Sequence, residues 1–202
     1  AGSNGGILHA FDTSNGEELW GYIPPNILGK LSTMVSSKAN TTNAIYGIDG
    51  SPVVKDIYFD DTPNNSVDDP RWRTILLSGL GAGGHGYFAL DITDINSPKQ
   101  LFTIEHDPFR QFVNHWDSDE KLTKYAYELN YSSFILNGKN IFKGNMPDEY
   151  DYQKLGEAWS TPRIIRIKVN NKDRWVAVFG GGYNGGTNPN YGSTVYVMDL
   201  EN

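Results

Sequence analysis

The sequence predicts an all-β chain assembled from repeated four-stranded antiparallel units, and three observations carry that expectation. The 202 residues include 22 Gly, 10 Pro and 13% aromatics, a composition of short strands and tight turns. A five-residue motif closed by aspartate recurs as Leu8-His9-Ala10-Phe11-Asp12, Tyr87-Phe88-Ala89-Leu90-Asp91 and Val195-Tyr196-Val197-Met198-Asp199. Each copy follows a glycine-rich stretch: Gly5-Gly6, then Gly83-Gly84-His85-Gly86, then the run from Gly180 to Gly192.

The later two copies share more upstream. "GSPVVKDIY" and "STPRIIRIK" each place a small hydroxyl residue and a proline before a β-branched run. "RWRTILLSGLG" and "DRWVAVFGGG" each place Arg-Trp before an apolar strand that ends in glycines. The spacings agree: Pro52 to Pro162 is 110 residues, Trp72 to Trp175 is 103, and Asp91 to Asp199 is 108. Within one unit the strands are A (52–58), B (74–78), C (87–91) and D (100–105). The last copy supplies A (163–168), B (175–179) and C (194–199), and the first residues supply only C (7–12) and D (19–23). Thr13-Ser14-Asn15-Gly16 joins that first pair, and Asn-Gly is a strong hairpin signal.

Four antiparallel strands per unit, punctuated by Gly and Trp, describe a β-propeller blade. The expected domain is a partial propeller over 1–202: a half blade at 1–23, a full blade at 51–105, an insertion at 106–158 and an incomplete blade at 159–202. The order C-D, A-B-C-D, A-B-C begins and ends inside a blade, and a propeller needs about four blades to close. The expectation is a portion of a longer protein, with strands at 7–12 and 194–199 offering backbone groups to a partner. Ala1-Gly2-Ser3 leads into a strand almost at once, as in a processed or excised piece, and no signal peptide is visible.

Two regions break the repeat. Residues 24–50 link the partial blade to the full one and carry Pro24-Pro25 and a Ser/Thr/Asn-rich run at 32–43. In the insertion, Ser118 is placed to cap a short helix with Leu122, Tyr125, Ala126 and Leu129 at i, i+3, i+4 and i+7. After it, residues 134–142 around Asn137-Gly138 read as a small hairpin. An insertion on a repeat scaffold is a place for binding specificity or a variable surface decoration.

The stretch "SGLGAGGHGYFALD" matches Gly79-x-Gly81-x-x-Gly84, the dinucleotide-binding fingerprint. That fingerprint needs a helix behind the glycines, whose N-terminus receives the pyrophosphate. Here a short aromatic strand follows, so the glycines are assigned to the turn between strands B and C.

Charge and composition exclude several classes. A formal charge of -7 offers no basic face for nucleic acid. Zero Cys removes disulfides, thiolate metal sites and cysteine nucleophiles together. No stretch approaches the roughly 18 apolar residues of a membrane-spanning helix. The four histidines, His9, His85, His106 and His115, show no metal-ligand spacing. His9 reads as a packing residue of strand C, His85 as part of a glycine turn, and Asp12, Asp91 and Asp199 as one strand-ending turn residue repeated. Trp20, Trp72 and Trp175 read as packing between blades, and residues 117–120 as a solvated helix start. No catalytic residue is assigned.

The best chemical candidate is "DDTPNNSVDDP", residues 60–70, between strands A and B. Numbered from Asp60, side-chain oxygens fall at positions 1 (Asp60), 3 (Thr62), 5 (Asn64) and 9 (Asp68), with the Ser66 carbonyl at 7. This alternate-residue spacing wraps hard oxygen ligands around a calcium ion. Position 6 is Asn65 rather than Gly, and the two carboxylates imply affinity in the weak extracellular range, roughly 10⁻⁴ to 10⁻³ M. An acidic, Asn-rich turn with no ion is the alternative reading.

"GGILHAFDTSNGEELWGYIP", "IDGSPVVKDIY", "RWRTILLSGLGAGGHGYFALDITD" and "RWVAVFGGGYN…STVYVMDL", in this order, resemble the C-terminal propeller of the PilY/PilC family. These are type IV pilus tip-associated adhesins and biogenesis factors; the resemblance fails over 106–158. It implies a modified propeller without enzymatic activity, exported to the pilus tip or outer cell surface. Implied roles are pilus extension against retraction, surface adhesion and twitching motility. The implied partners are minor pilins or the pilus tip complex and a host or abiotic surface receptor. The family's calcium loop, D-x-[DN]-x-[DN]-x-x-x-D, falls on Asp60, Thr62, Asn64 and Asp68, with Thr62 departing from it. Two rival readings are a pyrroloquinoline-quinone-type propeller dehydrogenase, suggested by "GILHAFDTSNGEELW", and a propeller scaffold of outer-membrane assembly. The first lacks its vicinal cysteine pair here.

Overall fold

The computed structural model describes residues 1–36, 45–59, 71–127, 150–184 and 191–201, together with the backbone of 133–136 and 139–143. Its strands form three sheets, ordered β1-β2, β3-β4-β5-β6-β7-β8-β10-β9 and β11-β12-β13. In the first, β1 (Leu8–Phe11) and β2 (Glu18–Tyr22) pair antiparallel, closed by Asp12 N–H donating to the Glu17 carbonyl at 2.8 Å. In the second, β3 (Val53–Tyr58), β4 (Trp72–Gly79), β5 (Gly86–Asp91) and β6 (Lys99–Asp107) are the expected A-B-C-D meander, every pair antiparallel. In the third, β11 (Arg163–Val169), β12 (Lys172–Gly180) and β13 (Val195–Asp199) repeat A-B-C.

The middle sheet is covered on both faces, which is why β4 and β5 read as unbroken apolar runs rather than alternating ones. Leu76, Phe88 and Leu90 join Leu8, Ile27 and Ile48 on one side. Ile75, Leu77, Tyr87 and Ala89 join Ala177, Phe179 and Ile164 of the third sheet on the other. Polar ties cross both seams. Trp20 Nε1 donates to the Ile95 carbonyl at 2.8 Å, and the Tyr22 hydroxyl to Gln100 Oε1 at 2.6 Å. On the far side Trp175 Nε1 donates to the Tyr58 carbonyl at 3.0 Å, and the Tyr87 hydroxyl to the Ser160 carbonyl at 2.9 Å. Trp20 and Trp175 therefore pack between blades, as expected.

Trp72 does not, and the register shows why. Ile75 pairs with Asp91 and Val176 with Asp199, so Thr74, not Trp72, stands where Trp175 stands in the next blade. The carbonyls of Thr74 and Trp175 accept the equivalent bonds from Ile92 and Leu200. Trp72 lies two residues upstream, 61% exposed, with its ring edge-on to Tyr58. The repeated "RW" is thus a two-residue slip, and Arg73 is the counterpart of Arg174.

The insertion extends the middle blade. β7 (Phe112–Trp116) pairs with β6, β8 (Leu122–Ala126) pairs with β7, and the hairpin β9 (Ser133–Leu136)–β10 (Lys139–Lys143) adds to β8 through a parallel pairing. The expected hairpin is present. The expected helix is not: Leu122, Tyr125 and Ala126 lie in β8, and Leu129 lies outside the described residues. Ser118 caps no helix; instead Asp117 Oδ1 accepts the N–H groups of Asp119 at 3.0 Å and Lys121 at 2.9 Å, building a β7–β8 turn. An isolated helix this short gains few backbone bonds. The β7 edge offers a full ladder instead, and Thr123 and Tyr125 suit a strand.

In the linker, a 3-10 helix (Pro25–Lys30) runs into α1 (Leu31–Met34), with proline preset at the first helical position. The side of β1 facing away from β2 meets Ala1–Gly2, through a Gly2–Leu8 bridge and a 2.8 Å bond from His9 N–H to the Ala1 carbonyl. That strand does not present the open edge expected of it. β13 does lie at the edge of its sheet among the described residues.

Candidate functional site

The calcium candidates Asp60, Thr62, Asn64, Ser66 and Asp68 all lie outside the described residues. The strands that deliver this loop are described. Phe59 N–H donates to the Arg71 carbonyl at 2.8 Å, so the two ends of the loop leave the sheet side by side. Below that bond the hairpin is fixed by side chains. Arg71 Nη1 donates to the Tyr58 hydroxyl at 3.1 Å, Thr74 Oγ1 to Asp56 Oδ1 at 2.7 Å, and the Arg73 guanidinium lies 4.8 Å from the Phe59 ring centre. Hard oxygen donors on a loop with paired ends suit calcium chemically. Among the described residues, no three His, Asp or Glu side chains converge as a metal-binding group.

Asp56, Trp72, Arg73, Thr74 and Thr93 line a shallow hollow of about 360 Å³ beside this hairpin. It lies on the blade face that Trp175, the counterpart of Thr74, turns toward the preceding blade.

The three strand-ending aspartates do one job. Asp12 Oδ1 accepts from the Ser14 N–H and hydroxyl, and Asp91 Oδ1 from the Thr93 N–H and hydroxyl. Asp199 Oδ1 accepts from the Glu201 N–H at 2.9 Å. Each turns the chain out of strand C.

The glycine turns sit at the opposite end of the blades and grip the chain segments that pass from one blade to the next. Asp49 N–H donates to the Leu80 carbonyl at 3.0 Å, while the preceding Ile48 N–H donates to Ser3. One blade later, Gly81 N–H and the Gly84 carbonyl bond to Ala158, while Glu157 exchanges both backbone bonds with Tyr183. Each connector is stitched to the B–C turns of the blades on either side. A Cβ on Gly79 would meet the Ala158 carbonyl oxygen at 2.6 Å, and Gly81 adopts φ +60. Gly79 and Gly81 of the fingerprint thus admit another backbone rather than a phosphate, as their repeat position predicts.

Sequence reasoning missed a buried polar junction at this end. His106 is 2% exposed, and its Nδ1 lies 2.5 Å from the Leu155 carbonyl of the connector. Its Nε2 bonds the Tyr127 hydroxyl, the Tyr191 ring stands edge-on at 5.1 Å, and the His85 ring lies 6.0 Å away. Lys30 Nζ donates to the Gly83 carbonyl, and Asn114 Nδ2 to Glu105 Oε2 at 2.8 Å. Burial lowers His106 to about 4, also lowers His85 and Lys30, and raises Glu105 above the usual carboxylate range. A single sequence carries no signal for it, because "IEHDPF" follows no ligand or catalytic spacing. His9 is half-buried in its strand, with Nδ1 2.7 Å from Glu18 Oε1.

Comparison with known proteins follows the strand pattern. A family model described as the PilY1 beta-propeller domain matches residues 1–133. A type IV pilus biogenesis factor PilY1 homolog of Xylella fastidiosa is 36% identical over 199 residues, covering 98% of this chain and 10% of that protein. The type IV pilus biogenesis factor PilY1 of Pseudomonas aeruginosa is 38% identical over 106 residues, 52% of this chain and 8% of that protein. The crystal structure of the P. aeruginosa PilY1 C-terminal domain superposes with a TM-score of 0.55 at 25% identity, covering 100% of this chain and 27% of that one. The chain therefore spans about a tenth of the length of these full-length relatives.

Proposed function

The chain belongs to the PilY1 beta-propeller family, and from that premise we propose that it is a non-enzymatic part of a type IV pilus biogenesis factor. In this reading it is exported to the pilus tip or outer cell surface, where it supports pilus assembly and extension, surface adhesion and twitching motility. Its partners there are minor pilins or the tip complex, and a host or abiotic receptor. The observation that carries the reading is the match over residues 1–133, which spans the partial blade, the full blade and the 60–70 loop together.

Calcium modulation through Asp60, Thr62, Asn64, the Ser66 carbonyl and Asp68 belongs to the same proposal. Asp60 and Asp68 lie in the sequence between Phe59 and Arg71, whose backbones are bonded to each other, and in this reading their charges oppose each other until a cation neutralises them. A bound ion stabilises the fold by RT ln(1 + [L]/Kd), about 2.7 kcal/mol at a hundredfold excess over Kd. Thermal melts across micromolar to millimolar calcium, with magnesium as control, are expected to show a rising midpoint. Asp60→Ala and Asp68→Ala abolish that rise, and Asp12→Ala, in the C–D turn of the first partial blade, retains it. A midpoint indifferent to calcium leaves the loop an ordinary turn. Separately, deleting the gene is expected to reduce surface pili, with the intact gene restoring them; unchanged piliation would overturn the pilus role.

A further inference from the structure

The connector that leads into the third sheet turns three chemically distinctive side chains toward solvent. Glu157 and Tyr183 exchange both backbone bonds, Glu157 N–H to the Tyr183 carbonyl at 2.7 Å and Tyr183 N–H to the Glu157 carbonyl at 2.9 Å. Residues paired in this way carry their side chains on one side, with Cβ atoms about 4.5–5.5 Å apart. The Glu157 carbonyl also accepts from Trp159 N–H at 2.8 Å. That tight turn sets the indole beside the Glu157 carboxylate, where its Nε1 donates to Oε2 at 2.8 Å. Trp159 is 56% exposed and Tyr183 55%. The indole is thus held in one orientation with ring surface open to solvent. Stitching the blades together does not require these side chains. The register that matches Thr74 to Trp175 places Ala82 where Tyr183 stands, each after a glycine of positive φ, Gly81 at +60 and Gly182 at +86. At the distances by which Glu157 and Trp159 precede Pro162, the first connector has Gly47 and Asp49 before Pro52.

We propose that Glu157, Trp159 and Tyr183 form a binding site for an alkylammonium group, the terminus of an exposed lysine side chain on a partner protein. The carboxylate supplies the counter-charge, and an aromatic face attracts a cation within about 6 Å of its centroid through the ring quadrupole. Trp159 Nε1 takes Glu157 Oε2, and Oε1 has no other hydrogen bond among the described residues, which leaves it to accept from the incoming ammonium. Lys30 and His85 lie within electrostatic reach of Glu157, but burial disfavours the charged form of both, and Lys30 Nζ donates to the Gly83 carbonyl. Neither is ion-paired with Glu157 among the described residues, so the carboxylate is met from solvent. The net charge of -7 favours the approach of a cation. A neutral sugar also stacks on exposed rings, but it gains nothing from the charge, whereas an ammonium group uses the carboxylate and both rings. All three side chains come from this chain, and none lies in the 60–70 loop.

The five tryptophan indole N–H groups give separate signals in a proton–nitrogen correlation spectrum, and Trp159→Phe identifies the one at this site. Titration with Nα-acetyl-lysine N-methylamide is expected to shift that signal saturably. Nα-acetyl-norleucine N-methylamide, which shares the apolar stem and lacks the charge, is expected to leave it in place. Glu157→Gln keeps an oxygen for the indole and removes the charge, so binding is expected to weaken about tenfold. Tyr183→Ala removes one ring and is expected to weaken it about threefold. Should Tyr183→Ala fail to fold, Glu157→Gln carries the test, since it preserves shape. Raising salt from roughly 0.05 to 0.5 M is expected to weaken binding, because the site is exposed and its charge screened. Trp72→Ala, at the start of β4, retains the response. No saturable shift, an equal shift with the norleucine compound, undiminished binding in Glu157→Gln, or a response to methyl α-glucopyranoside in place of the lysine compound would each overturn the site.

Discussion

If the B–C glycines exist to let two backbones touch, adding one methyl group at Gly79 is a direct test. An alanine Cβ there would sit 2.6 Å from the Ala158 carbonyl oxygen, 2.8 Å from Tyr87 Cε1 and 3.1 Å from Ala158 Cβ. The nearest atom is backbone, so the connector itself has to shift, pulling on the bond from Gly81 N–H to the Ala158 carbonyl. Overpacking of this kind costs about 1–3 kcal/mol. Replacing glycine in a strand returns about 0.5–1 kcal/mol of backbone entropy. At the middle of both ranges the net loss for Gly79→Ala is roughly 1 kcal/mol, a fall in melting midpoint of about 2–4 °C for a chain of this size. Gly29→Ala is the matched control, since nothing lies within 4 Å of its added Cβ, and it is expected to stay within about 0.5 kcal/mol of the parent. Calorimetry or circular dichroism melts of the three proteins decide the matter. A Gly79→Ala midpoint equal to or above that of the parent would refute the claim that close backbone approach fixes this glycine.

Two further outcomes follow from the register and from burial. Trp175→Ala is expected to cost about 3–5 kcal/mol, because it empties an inter-blade contact, whereas Trp72→Ala removes only an edge-on ring contact worth about 0.5–1.5 kcal/mol. Equal losses in urea titrations would contradict the two-residue slip between the Arg-Trp pairs. For Glu105, burial raises the folded-state value, so the contribution of this group is fullest below the ordinary carboxylate value and is lost as pH rises through the raised one. Glu105→Gln is therefore expected to raise the melting midpoint at pH 7, with the advantage shrinking toward pH 4; a lower midpoint at pH 7 would contradict it.

The blade strands were legible because the repeat supplies its own internal control. One copy of "GYFALD" suggests a strand or a phosphate loop, but three copies ending in the same aspartate turn leave only the strand. The same comparison misled at "RW". Matching letters aligned Trp72 with Trp175, while the sheet aligns Ile75 with Val176, and only cross-strand pairing reveals the difference. The helix read at 118–129 failed for a related reason. Leu122, Tyr125 and Ala126, three of the four apolar residues read at helical spacing, fit β8 equally well, and what decided was the open edge of β7, a tertiary fact that no local pattern contains.

The candidate sites divide along the same line. The calcium candidate could be read from sequence because its proposed ligands come from one short stretch in fixed alternation, so spacing alone proposes Asp60, Thr62, Asn64, Ser66 and Asp68. The His106 junction draws on residues 30, 85, 106, 127, 155 and 191, which the folded sheets bring together from across the chain. Its histidine is buried on the same face of β6 as Ile104, one residue past the strand D read at 100–105. The blades on either side need no such group to pack, since Tyr87, Phe179 and Tyr196 already close the seam with stacked and tilted rings.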